Sequence, residues 1–173
     1  GDDNSVVALS IFENEVVGMV TNADGNIVIG KLEYEGNTQD YIVYNDRNML
    51  VKNPGECHAE ELESYEENLK EKFEEGKLRG DFCVDMYLEC DYKLYQNKGS
   101  SVVNTKNWIT AAFNNVSTIY ENEVIETAIQ EIFVWTTQDN YSTSSSQTAL
   151  NQFKALRPSI NGDLGQLCSL SGG

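Results

Sequence analysis

Residues 81–91 constrain the chain most. Phe82, Val84, Met86 and Leu88 alternate there with Cys83, Asp85, Tyr87 and Glu89, the period of a half-buried β-strand. The hydrophobic period then lengthens. From about residue 104 to 123, Trp108, Ile109, Ala112, Phe113, Val116, Ile119 and Tyr120 recur at helical spacing, with Asn104 or Thr105 suited to cap the helix. A strand follows within 124–137, where Ile129, Glu131, Phe133 and Trp135 alternate with Gln130, Ile132 and Val134. Apolar side chains on both of its faces predict a central strand covered on two sides. The Ser/Thr cluster at 142–146 predicts the start of a short helix with Ala149, Leu150 and Phe153 inward, and residues 163–170 supply a third strand. Strand-helix-strand-helix-strand requires crossovers and a largely parallel sheet.

The chain before this strand has another character. Residues 16–32 predict a hairpin around Asp24-Gly25, and 41–44 a further short strand, so the front is a small antiparallel sheet. Pro54-Gly55 breaks the chain, and Cys57 and His58 follow. Residues 59–77 are densely charged, with Leu62, Tyr65, Leu69 and Phe73 three or four apart, which predicts an acidic surface helix. The expected fold class is therefore α/β (α+β overall): an antiparallel unit at 1–57, an acidic linker helix at 58–80, and a βαβαβ unit at 81–173.

The 173 residues carry a net charge of −16, which argues against nucleic acid and anionic lipid as partners. No apolar run approaches the roughly 20 residues of a membrane span, and no signal peptide is visible. The cysteines Cys57, Cys83, Cys90 and Cys168 form no CxxC pair. His58 is the sole histidine, so a histidine-rich metal site cannot be built from this sequence. Trp108 and Trp135 share their neighbours' apolar periodicity and are expected in the core.

The second half resembles the adamalysin/reprolysin-like (metzincin) zinc metallopeptidases. The pieces that carry the resemblance are Asp91-Tyr-Lys-Leu-Tyr95, residues 114–120, Glu131-Ile-Phe-Val-Trp135 with Asp139, Leu150-Asn-Gln-Phe153, Arg157, and Gly162-Asp-Leu-Gly-Gln-Leu167. They follow the family's order over roughly residues 82–173. The front section is similar to the C-terminal part of a propeptide from bacterial members. The resemblance implies a secreted or periplasmic metalloendopeptidase that hydrolyses peptide bonds with zinc-activated water, through HExxHxxGxxH placed after the third strand. No HExxH occurs in these residues. The expectation is a propeptide remnant joined to the N-terminal half of a catalytic domain, with no zinc ligand or catalytic residue of its own and no activity by itself. The open sheet edge of such a half invites self-association.

The resemblance also implies roles for individual residues. Cys57 stands where latent zymogens of the family keep a cysteine that can occupy zinc's open position; a disulfide, with Cys83 the nearest candidate, or a free thiol is the alternative. Asp85 and Asp163 fall at positions of a structural calcium site; two solvated aspartates are the plainer reading, since calcium takes six to eight oxygens. Cys90 and Cys168, on neighbouring strands of the family's sheet, are expected as buried thiols. The competing function is a non-catalytic exported module that binds a protein or calcium. A flavodoxin-like domain is disfavoured because no Gly-rich phosphate loop follows the first strand.

Overall fold

The computed structural model of the chain describes residues 5–50 and 83–170 apart from Thr143. The expected acidic helix, Cys57 and His58 lie outside the described residues.

The front section is an antiparallel sheet of β1 (Val6–Ile11), β2 (Val16–Asn22), β3 (Gly25–Lys31) and β4 (Tyr41–Asn45), in that spatial order. The expected hairpin closes with Asn22 opposite Gly25. The Asn22 side chain accepts the Asp24 amide at 2.9 Å, and Gly25 takes φ 110°, which a Cβ disfavours. Asp46, just past β4, accepts the backbone and side-chain N–H of Asn26 at 3.2 and 2.7 Å. These bonds hold its carboxyl below the ordinary range and tie the end of β4 to the hairpin.

The second section contains β5 (Cys83–Cys90), α1 (Tyr92–Asn97), α2 (Val102–Asn122), β6 (Glu126–Val134), α3 (Ser146–Leu156) and β7 (Leu164–Cys168). β5 pairs in parallel with both β6 and β7, giving the order β6-β5-β7. The mixed α/β class is as expected, but the central strand is not. Among the described residues β6 is an edge strand and β5 lies in the middle. Tyr87, Leu88, Glu89 and Cys90 are all buried, so β5 is covered on both faces rather than one. Its polar side chains disguised this, because they are paired with one another and with neighbours inside the fold.

Each face of this sheet has its own core. Leu88, Cys90, Leu94 and Ile109 are buried together on the α2 side, with Met86, Trp108, Phe113, Ile129, Ile132 and Val134 against them. Tyr87, Tyr141 and Phe153 are buried on the other, with Phe133, Trp135, Ile160 and Leu167. Ile129 thus shares a side with Ile132 and Val134, not with Phe133 and Trp135 as strict alternation predicts. The register slips between Met86 and Tyr87, leaving Gln130 unpaired; one bulged residue reverses the facing of everything beyond it.

The α2 cap also differs: Ser101, not Asn104 or Thr105, accepts the Asn104 amide at 3.3 Å, while Thr105 lies buried inside the first turn and bonds the Ser101 carbonyl at 2.8 Å. The short α1 is unanticipated, being too brief for a hydrophobic period to mark. In α3, capped by Ser145, Phe153 is buried as expected but Leu150 is 42% exposed.

Candidate functional site

The polar residues that end β5 gather the sheet's carboxyl end around two buried acids. Glu89 is 0% exposed. One carboxylate oxygen accepts the Trp135 indole N–H at 2.6 Å and the Tyr141 hydroxyl at 2.6 Å. The other accepts the Tyr87 hydroxyl at 2.8 Å and Arg157 Nε at 2.7 Å. Burial alone drives the carboxyl's affinity for protons up, but the bonds from Arg157, Tyr141, Trp135 and Tyr87 together outweigh it and hold the carboxyl below its ordinary range. The Tyr87 hydroxyl is pushed up to about 12 by burial and by the carboxylate it serves, and Tyr141 is raised for the same reasons. The Arg157 guanidinium lies 4.8 Å from the Phe133 ring centre and 5.8 Å from that of Trp135, so its cation is held by a carboxylate and two aromatic faces.

Asp91, 1% exposed, works on the loops. One oxygen accepts the Leu94 amide at 2.7 Å and caps α1; the other accepts the Ser169 hydroxyl. Its own amide donates to the Cys168 carbonyl at 3.0 Å. Asp139 accepts the amides of Tyr92 and Tyr141, both at 2.7 Å. The carboxyl end of an open α/β sheet is the usual place for a ligand; here the loops after β5, β6 and β7 are laced together by carboxylates. Glu89 spends both oxygens on internal donors, so it is a structural acid and not a general acid or base.

The opposite end of β5 brings Asp85 and Asp163 together. The Asp163 carboxylate accepts the Asp85 amide at 2.9 Å, and the Asp163 amide donates to the Asp85 carbonyl at 2.7 Å. Gly162 permits this approach: a Cβ there would stand 2.8 Å from the Asp85 carbonyl oxygen, and its φ is 155°. Among the described residues no group of three or more His, Cys, Asp or Glu is placed to hold a metal ion. Two aspartates, one of them engaged by an amide, fall short of calcium's six to eight oxygens. The described donors do not fit zinc either, which takes at least three protein ligands.

Cys90 and Cys168 are direct partners across β5 and β7 and are free thiols, as is the exposed Cys83. Burial pushes Cys90 up to about 12 and Cys168 up to about 11, with the Asp91 charge adding to both and that of Cys168 adding to Cys90. Cys90 is buried and Cys168 only partly so, and their raised values leave both as unreactive thiols near neutral pH. Trp108 packs on the α2-side core, and the Lys98 ammonium lies 5.1 Å from its ring centre. Trp135 is more than the core aromatic that periodicity suggests, since its indole N–H serves Glu89.

By its alternation alone Glu89 is one polar position of a half-buried strand. A Glu-x-Asp pair directly after Met86-Tyr87-Leu88 is the available signal. No helix among the described residues is long and apolar enough to cross a membrane. No curated protein matches the chain. The family model described as metallo-peptidase family M12, Reprolysin_5, matches residues 83–172, the same β5-to-β7 unit whose loops Glu89, Asp91 and Asp139 join. The chain belongs to metallo-peptidase family M12.

Proposed function

We propose that this chain provides the N-terminal, non-catalytic half of a secreted or periplasmic zinc-dependent metalloendopeptidase, preceded by a propeptide-like sheet. The observation that carries the reading is the M12 match over residues 83–172, coincident with the parallel β6-β5-β7 unit. The sequence holds a single histidine and no HExxH, so the zinc ligands and the water-activating glutamate come from residues outside these 173. The role of the residues described is to build the rigid sheet on which such a site is hung. Glu89 and Arg157 fix α3 and the loop after β6 to β5, and Asp91 fixes α1 and the chain leaving β7. Cys57 is the candidate for latency. Asp85 and Asp163 take part in calcium binding only if further oxygens join them. Among the described residues β7 pairs with β5 alone, which supports self-association through its open edge.

The test is to read the coding sequence beyond Gly173 and to assay these 173 residues on an unstructured protein substrate with added zinc. An HExxHxxGxxH motif downstream and no cleavage by the 173 residues are the expected results. Zinc-dependent cleavage by the 173 residues refutes the non-catalytic assignment. A stop codon directly after Gly173 refutes the half-enzyme and favours an exported binding module.

A further inference from the structure

The front sheet is seated on the M12 unit in a way that bears on its fate. β1 and, to a lesser extent, β2 lie against α2. Asn114 of α2 donates through its side-chain amide to the Ser10 hydroxyl of β1 at 3.1 Å. Ala8 shares the Ser10 face of the strand, and Ala111 lies one helical turn before Asn114. The two alanines are 3% and 2% exposed. Small residues on both sides let a strand and a helix approach closely and exclude water. At the far end of the sheet, Glu33 pairs with Lys98 at 2.5 Å. The Lys98 side chain is only 10% exposed, closed in above Trp108. Leu9–Phe12 also border Thr127, Ala128 and Ile129 of β6 across a cleft of about 480 Å³. The front sheet therefore sits on the β6 side of the parallel sheet, and β7 is on the opposite side of β5.

We propose that residues 5–50 are a lasting non-covalent subunit of the M12 half, bound to the outer face of α2, and that they stay bound when the chain is cut between 51 and 82. This rests on the division into a front unit and a peptidase half proposed above. A removable inhibitor gains nothing from burying Ala111 on the back of α2, on the side of the sheet away from the β7 edge. A permanent partner does, because without β1 this face of α2 returns to water. The partner this surface fits is a twisted antiparallel sheet with small residues on its edge strand, an acceptor hydroxyl at the Ser10 position and an acidic loop facing Lys98.

The experiment inserts a site-specific protease sequence between residues 51 and 82 of the full chain, folds the chain, cuts it, and measures the mass by size exclusion with light scattering at micromolar concentration. The expected result is a single species carrying both pieces. Two separate species overturn the proposal. Ala111→Glu puts a charge at a buried position one turn from the Asn114–Ser10 bond and is expected to release the front piece after cutting. Should that variant be unfolded before the cut, Asn114→Ala combined with Lys98→Ala decides, with an expected weakening of association of about tenfold. Undiminished association in the double variant overturns the assignment of this interface. The readout is a mass, so failure of the metallopeptidase reading appears in the activity and coding-sequence tests and leaves this result unaffected.

Discussion

Replacing Glu89 by Gln changes one atom and the charge of a fully buried group, and its consequence can be worked out donor by donor. The carboxylate faces two hydroxyls, one indole N–H and one guanidinium N–H. The tyrosine hydroxyls can rotate and accept. Trp135 Nε1 and Arg157 Nε cannot, since neither carries an acceptor lone pair. They address different carboxylate oxygens, so a glutamine amide must turn its NH₂ toward one of them in either orientation. The variant loses a charge-assisted hydrogen bond, worth about 1.5–3 kcal/mol, and leaves one buried donor unsatisfied, at about 1–3 kcal/mol. Arg157 is 24% exposed and can recover some hydration, which places the total near the lower end, about 3 kcal/mol. Against an ordinary stability of about 5–15 kcal/mol this is a large loss. Urea unfolding followed by the fluorescence of Trp108 and Trp135 measures it directly. With a slope of about 1–3 kcal/mol/M, the midpoint should fall by at least about 1 M. A second signature comes from pH. The folded carboxyl is held below its ordinary range, so its contribution is present above the unfolded pKa and is lost as pH falls through the folded one. The variant should lack that part of the acid-side loss. A midpoint within about 0.2 M of the parent, with an unchanged acid limb, would falsify the assignment of Glu89 as the ionised hub of this face.

Gly162→Ala brings a Cβ to 2.8 Å from the Asp85 carbonyl oxygen and 3.1 Å from the Tyr87 amide at a φ of 155°; a loss of about 2 kcal/mol or more in the same urea assay is expected, and a neutral result would show that β5 can yield there. Tyr87, Cys90 and Cys168 are raised from 10.0, 9.0 and 9.0 to about 12, 12 and 11. Their share of stability is intact below pH 9 and drains away as pH climbs through 11 and 12, so thermal midpoints should decline over that alkaline window and not between pH 6 and 8. Alkylation with iodoacetamide at pH 8, mapped by mass spectrometry, should spare the buried Cys90 until denaturant is added and reach the partly buried Cys168 only slowly; rapid native-state labelling of Cys90 contradicts the burial described. Ser145→Ala removes the hydroxyl that accepts the Thr148 amide at 3.3 Å and should cost about 1 kcal/mol, read as a lowered thermal midpoint.

The sequence by itself determined the elements and their kind. Apolar period distinguishes strand from helix, and an Asp-Gly turn fixes a hairpin, because these signals are local and repeat several times within one element. That is why the β2–β3 hairpin, α2, β7 and the α/β class were all legible in it. It was silent or misleading where one distant residue decides. The bulge at Gln130 reassigns the faces of β6 without leaving a trace in the alternation around it. β5 rather than β6 became the central strand because Glu89, a charge that argues for solvent, finds Trp135, Tyr141 and Arg157 from 46 to 68 positions away. Burial of a carboxylate is tolerable only when its donors arrive together, and only the tertiary structure brings them there. The same holds for Asp85 and Asp163, which the family resemblance can nominate as neighbours but which meet only because Gly162 lets two backbones touch.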